Sequence, residues 1–127
     1  ADLVPDNVLF NDNRISGVID FSFSCNDFLS YDLSICINAW CFRDGEFDIS
    51  LSKNLLNGYQ KIRELNKEEL KQLPILCSGS ALRFLLTRLA DWKVSKDDAM
   101  VTPKNPNEFI KILDFHKDIN NSQDYGV

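Results

Sequence analysis

Three residues near the start of the chain have the types and order that phosphoryl transfer requires. Asp2 and Asn7 stand five apart, with Pro5 between them and the apolar run Val8-Leu9-Phe10 behind. Asp20 follows a second apolar stretch, Val18-Ile19. One carboxylate can orient and deprotonate an acceptor hydroxyl, while an amide oxygen and a second carboxylate hold Mg²⁺ on nucleotide phosphates. Asp2 suits the first role, and Asn7 and Asp20 suit the second.

Those side chains need a scaffold that brings them together. Val8 to Phe10 and Ile15 to Phe23 read as two short strands. Asn11-Asp12-Asn13-Arg14 between them tolerates tight turns, so the spacing predicts a hairpin. A hairpin carries Asn7, at the start of one strand, toward Asp20 at the end of the other. Asp2 falls on the loop just before.

The order Asp-x-x-x-x-Asn, hairpin, Asp-Phe resembles the catalytic loop and metal-binding Asp of protein kinases. The metal segment here reads Ile19-Asp20-Phe21-Ser22, and Pro5 lies inside the loop. Both features resemble the aminoglycoside-phosphotransferase and choline-kinase branch of that fold. Further stretches narrow the likeness: Ser16-Gly17-Val18-Ile19-Asp20-Phe21, Tyr31-Asp32-Leu33, Asn38-Ala39-Trp40-Cys41-Phe42, Ala81 to Leu89, Asp91-Trp92 and Val101-Thr102-Pro103-Lys104. From Ala1 to about His116 the chain resembles the C-terminal part of bacterial homoserine kinases of this aminoglycoside-phosphotransferase-like family.

The resemblance implies transfer of the ATP γ-phosphate to the hydroxyl of homoserine, in threonine biosynthesis, with ATP and Mg²⁺ as cofactors. It implies Asp2 as catalytic base and Asn7 and Asp20 as metal ligands. Asp32 matches the Asp that braces the catalytic loop, a role compatible with being an ordinary helix-start acid. The family's N-terminal lobe, with its phosphate-covering loop and ATP-contacting Lys, has no counterpart among these residues. The family's His two positions before the catalytic Asp would fall ahead of Ala1. The chain is therefore read as a fragment of an ATP-dependent kinase. A kinase of another small alcohol and a non-catalytic lobe without its ATP-binding partner are the alternatives. An N-terminal lobe or a self-associating copy would cover any exposed apolar face.

Homoserine carries a carboxylate and an ammonium. Arg83 and Asp91 on one face of a helix are candidates for these two groups, with Arg88 as the other cation. An Arg fork suits a carboxylate because it bonds it bidentately.

Composition limits the partners. At 127 residues the chain can hold a core, and 44% hydrophobic content is that of a globular protein. A net charge of −5 without a basic cluster argues against nucleic acid. No apolar run is expected to approach the ~20 residues of a membrane span, so no membrane partner is expected. Cys25, Cys36, Cys41 and Cys77 form no Cys-x-x-Cys pair, and His116 is the single histidine, which argues against zinc. Cys36 and Cys77 fall in helical apolar patterns and read as buried thiols of a reducing, cytoplasmic setting.

The rest of the chain reads as helices. Leu33, Ile37 and Trp40 share a helical spacing within 31–42, and Arg43-Asp44-Gly45-Glu46 forms a turn. A second helix resumes near Ser50, with Asp48 or Ser50 as its cap. Asn66 and Glu69 form a capping box. The longest helical pattern runs over Ile75–Val94. Ile75, Leu82, Leu85, Leu86, Leu89 and Trp92 are expected to face inward, with Ser80, Arg83, Thr87 and Asp91 opposite and Arg88 pairing with Asp91. Lys96-Asp97-Asp98 is a polar break and Thr102-Pro103-Lys104 a loop. Asn105 and Pro106 open a last helix ending near a surface His116. The expected class is α+β, mostly α-helical: the C-terminal lobe of a protein-kinase-like fold with a catalytic β-hairpin near the N-terminus. Residues 1–117 form that lobe, with 1–23 as catalytic loop and hairpin and 30–117 helical, and 118–127 fray.

Overall fold

The computed structural model describes residues 2–94 and 105–127; the polar break at Lys96-Asp97-Asp98 and the Thr102-Pro103-Lys104 loop lie outside them. A single 3₁₀ turn, Pro5–Asn7, leads into strand β1 (Val8–Asn11), which pairs antiparallel with β2 (Arg14–Val18). Asp12 and Asn13 connect them with positive φ values of 48° and 61°. Two left-handed residues in sequence make the turn whose twist matches paired strands, and Asn and Asp tolerate that region best after Gly. Leu9 pairs with Gly17 and Phe10 with Ile15, so Ser16 is an extra residue on β2. β2 ends at Val18 and does not continue to Phe23 as expected. Asp20 has a φ of 58°, and a left-handed residue ends a strand.

Helix α1 (Leu29–Trp40) follows, with Asp32 in its first turn. The expected turn at 43–46 is itself a small hairpin, β3 (Phe42–Arg43) with β4 (Glu46–Phe47), turning through Asp44 and Gly45 at positive φ. Helix α2 (Ile49–Gln60) is capped by Asp48, whose carboxylate accepts from the N–H groups of Ser50 and Leu51. The capping box forms as expected. Asn66 Oδ1 accepts from the N–H groups of Glu68 and Glu69, and Glu69 Oε2 accepts from Asn66 N–H.

That box opens a helix longer than the expected 75–94. Helix α3 runs Lys67–Val94, with Pro74 inside it. An internal Pro costs about 3 kcal/mol. Leu73 and Cys77 on either side of it are fully buried in the core, and their burial offsets that cost. By length and composition alone α3 reaches what a membrane span needs, over Lys67–Trp92, so the expectation that no run approaches one is corrected. Helix α4 (Asn107–Lys117) packs on α3, and Asn105 Oδ1 accepts from Asn107 N–H at its start.

The core lies where α1, α2 and α3 meet: Leu33, Ile37, Cys41, Leu56, Leu65, Leu73, Cys77 and Tyr125. A smaller cluster, Ala81, Phe109 and Ile112, joins α3 to α4. Two expectations change here. The inward face of α3 is Leu73, Cys77, Ser80 and Ala81, while Leu82, Leu86 and Leu89 are 47%, 58% and 40% exposed. Small residues let α1 approach α3 closely, so the face with the largest side chains is the outer one. The tail does not fray: Ser122–Tyr125 forms a 3₁₀ turn, and Tyr125 is fully buried.

His116 is not at the surface but 3% exposed. Its Nε2 donates to Asn38 Oδ1 (2.7 Å), and its Nδ1 accepts from the Tyr125 hydroxyl (2.8 Å). Burial pushes its pKa down to about 4, so the ring is neutral. Asn38 Nδ2 donates in turn to the Cys77 carbonyl and to Ser80 Oγ, both at 2.8 Å. Ser34 Oγ lies 3.1 Å from Ser80 Oγ. This polar seam joins α1, α3, α4 and the tail with its members mutually bonded. Cys36 and Cys77 are buried as expected, and burial pushes both thiols up to about 12.

Candidate active site

The site begins with a short loop closed by its own hydrogen bonds. Val4 N–H donates to the Asp2 carbonyl (2.9 Å), and Asn7 N–H to the Val4 carbonyl (3.0 Å). Pro5 opens the 3₁₀ turn, where its missing N–H is no loss. Asn7 Nδ2 then reaches back to the Asp2 carbonyl (2.9 Å) and to Asp2 Oδ2 (3.4 Å). The amide donor side of Asn7 is thus turned to Asp2, and its Oδ1 remains as an acceptor.

The hairpin register carries Asp20 to the same end as Asn7. Val8 pairs with Val18, and Ile19 N–H donates to the Asn7 carbonyl (2.9 Å). Asp20 follows at once in the left-handed conformation. Its Oδ1 accepts from Ser22 Oγ (2.5 Å) and Ser22 N–H (3.3 Å). The Ser22 hydroxyl first, and its N–H second, hold the exposed Asp20 carboxyl below the usual carboxylate range. Asp20 is therefore ionised at neutral pH.

Asp2, Asp20 and Asp32 line one cleft of about 150 Å³, together with Leu3, Val18, Ile19, Phe21 and Ser24. Asp32 comes from the first turn of α1. Asn7 is not in that lining; it stands behind Asp2, joined to it by the amide bonds above. Among the described residues no three His, Cys, Asp or Glu side chains cluster tightly enough to hold a metal by themselves. The donor chemistry nevertheless fits Mg²⁺. One carboxylate and one amide oxygen are hard ligands at the same end of the hairpin, and Mg²⁺ usually takes one or two carboxylates plus phosphates and water.

The remaining sequence candidates lie on α3. The Ser34–Ser80 and Asn38–Cys77 contacts show that α1 and α3 run antiparallel. Arg83, one turn beyond Ser80, therefore lies alongside the first turn of α1, the end where Asp32 meets the cleft. Its guanidinium sits 4.4 Å from the Phe84 ring centroid. Arg88 does not pair with Asp91 as expected. It bonds Glu108 of α4 at 2.8 Å and lies over Phe109 at 4.3 Å, which ties α3 to α4. Asp91 is exposed, eight residues past Arg83. That spacing is about 12 Å of helix rise, whereas a single carbon of an amino acid bears both its carboxylate and its ammonium.

Three supporting residues escaped the sequence reading. Ser22 sits two positions after Asp20, a local side-chain-to-backbone pattern that the sequence does display. Trp40 and Cys36, on α1, both address the Leu3 carbonyl, Trp40 Nε1 at 2.8 Å and Cys36 Sγ at 3.9 Å. No sequence signal announces that contact, because it joins residues more than 30 positions apart.

Known proteins resemble this chain in sequence. Residues 1–65 match the family model described as "Phosphotransferase enzyme family". Over its full length the chain is 52% identical to the homoserine kinase of Rhizobium etli (strain CIAT 652), covering 40% of that protein. It is 52% identical to the homoserine kinase of Allorhizobium ampelinum, over 99% of this chain and 40% of the relative. The homoserine kinase of Xanthobacter autotrophicus is 50% identical over all of the chain, again with 40% of the relative covered. The chain thus spans about 40% of the length of the curated relatives it matches. Matched over half its length by the family model and over nearly all of it by these relatives, the chain belongs to the phosphotransferase enzyme family.

Proposed function

We propose that the chain carries the catalytic loop and metal-holding hairpin of an ATP-dependent homoserine kinase, in the C-terminal lobe of a kinase-like fold spanning residues 1–117. The observation that carries this reading is the single cleft lined by Asp2, Asp20 and Asp32. Identity near one half with homoserine kinases supports the choice of acceptor.

In this reading Asp2 accepts the proton of the homoserine hydroxyl as its oxygen bonds to the γ-phosphorus and ADP departs. Asn7 Oδ1 and Asp20 would hold Mg²⁺, which would neutralise phosphate charge. The bond from Asn7 Nδ2 to Asp2 fixes both side chains against each other. Ser22 keeps Asp20 ionised and aimed. Asp32, at the head of α1, braces the floor of the cleft. Arg83, midway along α3 and alongside the first turn of α1, is the candidate to take the substrate carboxylate. Arg88 is a second cation candidate and already bonds Glu108, and Asp91 is too far along the helix to share one amino-acid head group with Arg83. The setting is cytoplasmic, and the partners are small molecules.

A second reading, a lobe that binds ATP only with a partner, is supported by the exposed Phe10, Ile15, Phe21, Phe23 and Phe28 of the hairpin and the segment after it. A further lobe or a second copy would cover them. Transfer of phosphate from ATP to homoserine, choline and a simple amino alcohol, measured for the protein at its natural length and for the 127-residue chain, separates these readings. Homoserine should be preferred at least tenfold in kcat/KM. Equal use of choline would remove homoserine as the substrate, and activity of the 127-residue chain alone would remove the need for a partner.

A further inference from the structure

Within the catalytic loop, local hydrogen bonds join Asp2, Val4 and Asn7. One carbonyl between them, that of Leu3, points instead to α1. Trp40 Nε1 donates to it at 2.8 Å from the last turn of that helix. An indole N–H is a donor only, and a partly buried one needs an acceptor. The same ring meets Phe10 of β1 edge-on, with centroids 6.3 Å apart. One side chain therefore touches both arms of the site: the loop that carries Asp2, and the strand that follows Asn7.

From this geometry we infer that Trp40 is a positioning residue, whose indole N–H sets the height of Asp2 over the cleft by anchoring the Leu3 carbonyl. The inference rests on the phosphotransfer reading above. α1 is a rigid reference, because its far side is locked into α3 through Asn38 and Ser34. Leu3 is the residue next to Asp2, so a shift of its carbonyl moves the Asp2 backbone directly. Misplacement of a reacting group by about 1 Å can cost two orders of magnitude in rate. Loss of one of several ties should cost less. Cys36 is a poor substitute, since its Sγ lies 3.9 Å from the same oxygen.

The test is Trp40→Phe in the protein at its natural length, beside Asp2→Asn. Phe keeps the aromatic contact with Phe10 and removes only the N–H. The expected result is a kcat about tenfold lower per folded molecule, an ATP KM within twofold of wild type, and a melting temperature lowered by a few degrees at most. Trp40→His, which restores a ring N–H, should regain part of the lost kcat. A wild-type kcat per folded molecule in Trp40→Phe would overturn the inference, whatever happens to the melting temperature. So would a Trp40→His enzyme that folds and is no faster than Trp40→Phe. Full activity in Asp2→Asn would instead overturn the phosphotransfer reading itself, which keeps the two failures distinct.

Discussion

Residues 2–22 and the α1–α3–α4 block handle polar groups in opposite ways. In the loop and hairpin the polar side chains are held near solvent by short local bonds, Asn7 to Asp2 and Ser22 to Asp20. Apolar side chains there, Phe10, Ile15 and Phe21 among them, are exposed. In the helical block a set of polar groups lies inside. Asn38, Ser80, Ser34 and His116 are buried and bonded to one another or to backbone. The difference teaches where each region's sequence is spent. The first keeps charged groups available to a ligand, and the second uses polar groups to fix how helices cross. Apart from Trp40 and Arg83, the helical residues assigned to the site, substitutions should therefore strike activity in the first region and stability in the second.

The largest expected effect is at Asp20. Asp20→Ala should abolish Mg²⁺-dependent nucleotide binding and lower turnover by at least two to three orders of magnitude, while leaving the melting temperature near wild type. Nucleotide titration with and without Mg²⁺ checks it. Retained Mg²⁺-dependent binding would move the metal elsewhere.

His116 should dominate the pH dependence of the helical block. Its folded pKa of about 4 lies below the ordinary 6.5. Between those values the unfolded chain binds a proton that the folded chain refuses. Stability from this group is complete above about pH 6.5, falls as the pH drops, and is gone below about pH 4. The size, from a gap of two to three units, is about 3 kcal/mol. Gln can donate to Asn38 and accept from Tyr125 without titrating. Urea unfolding from pH 7 to 4 should show a shallower decline for His116→Gln than for wild type. Parallel curves would remove His116 as the acid-sensitive group.

Tyr125→Phe should cost about 1–2 kcal/mol, because it leaves His116 Nδ1 buried without its donor. Urea unfolding at pH 7 measures it, with activity per folded molecule unchanged. Arg83→Lys should raise the homoserine KM about tenfold, near 1.4 kcal/mol, with the ATP KM unmoved. An unchanged homoserine KM returns Arg83 to a packing role against Phe84. The smallest effect is at the α3–α4 tie. Glu108→Gln leaves the ring contact of Arg88 in place and weakens a half-exposed ion pair, so it should cost less than about 1 kcal/mol.

What the sequence disclosed was local. The turn at Asn11–Arg14, the Asp48 cap, the Asn66–Glu69 box and the approach of Asp20 to Asn7's end of the hairpin all follow from residues a few positions apart. What it concealed depends on partners far along the chain. The helical wheel of α3 assigned the large residues Leu82, Leu86 and Leu89 to the core, since it weighs side-chain size and not how near α1 comes. Close approach favours Cys77, Ser80 and Ala81 instead. His116 and Tyr125 looked like surface residues because each is buried by the other, together with Asn38 from 78 positions away. Pro74 by itself suits either a helix start or a kink within a helix, and the burial of Leu73 and Cys77 that carries α3 through it is tertiary.

The most direct measurement is turnover by Asp2→Asn in the protein at its natural length, with ATP, Mg²⁺ and homoserine at saturation. Asn preserves size and hydrogen bonding but cannot take a proton. The phosphotransfer reading predicts a kcat lower by roughly 10²–10⁴, with nucleotide binding retained and the fold intact. A kcat equal to wild type would contradict it, because the loop that Asn7, Pro5 and Trp40 hold in place would then be positioning a carboxylate the reaction does not use.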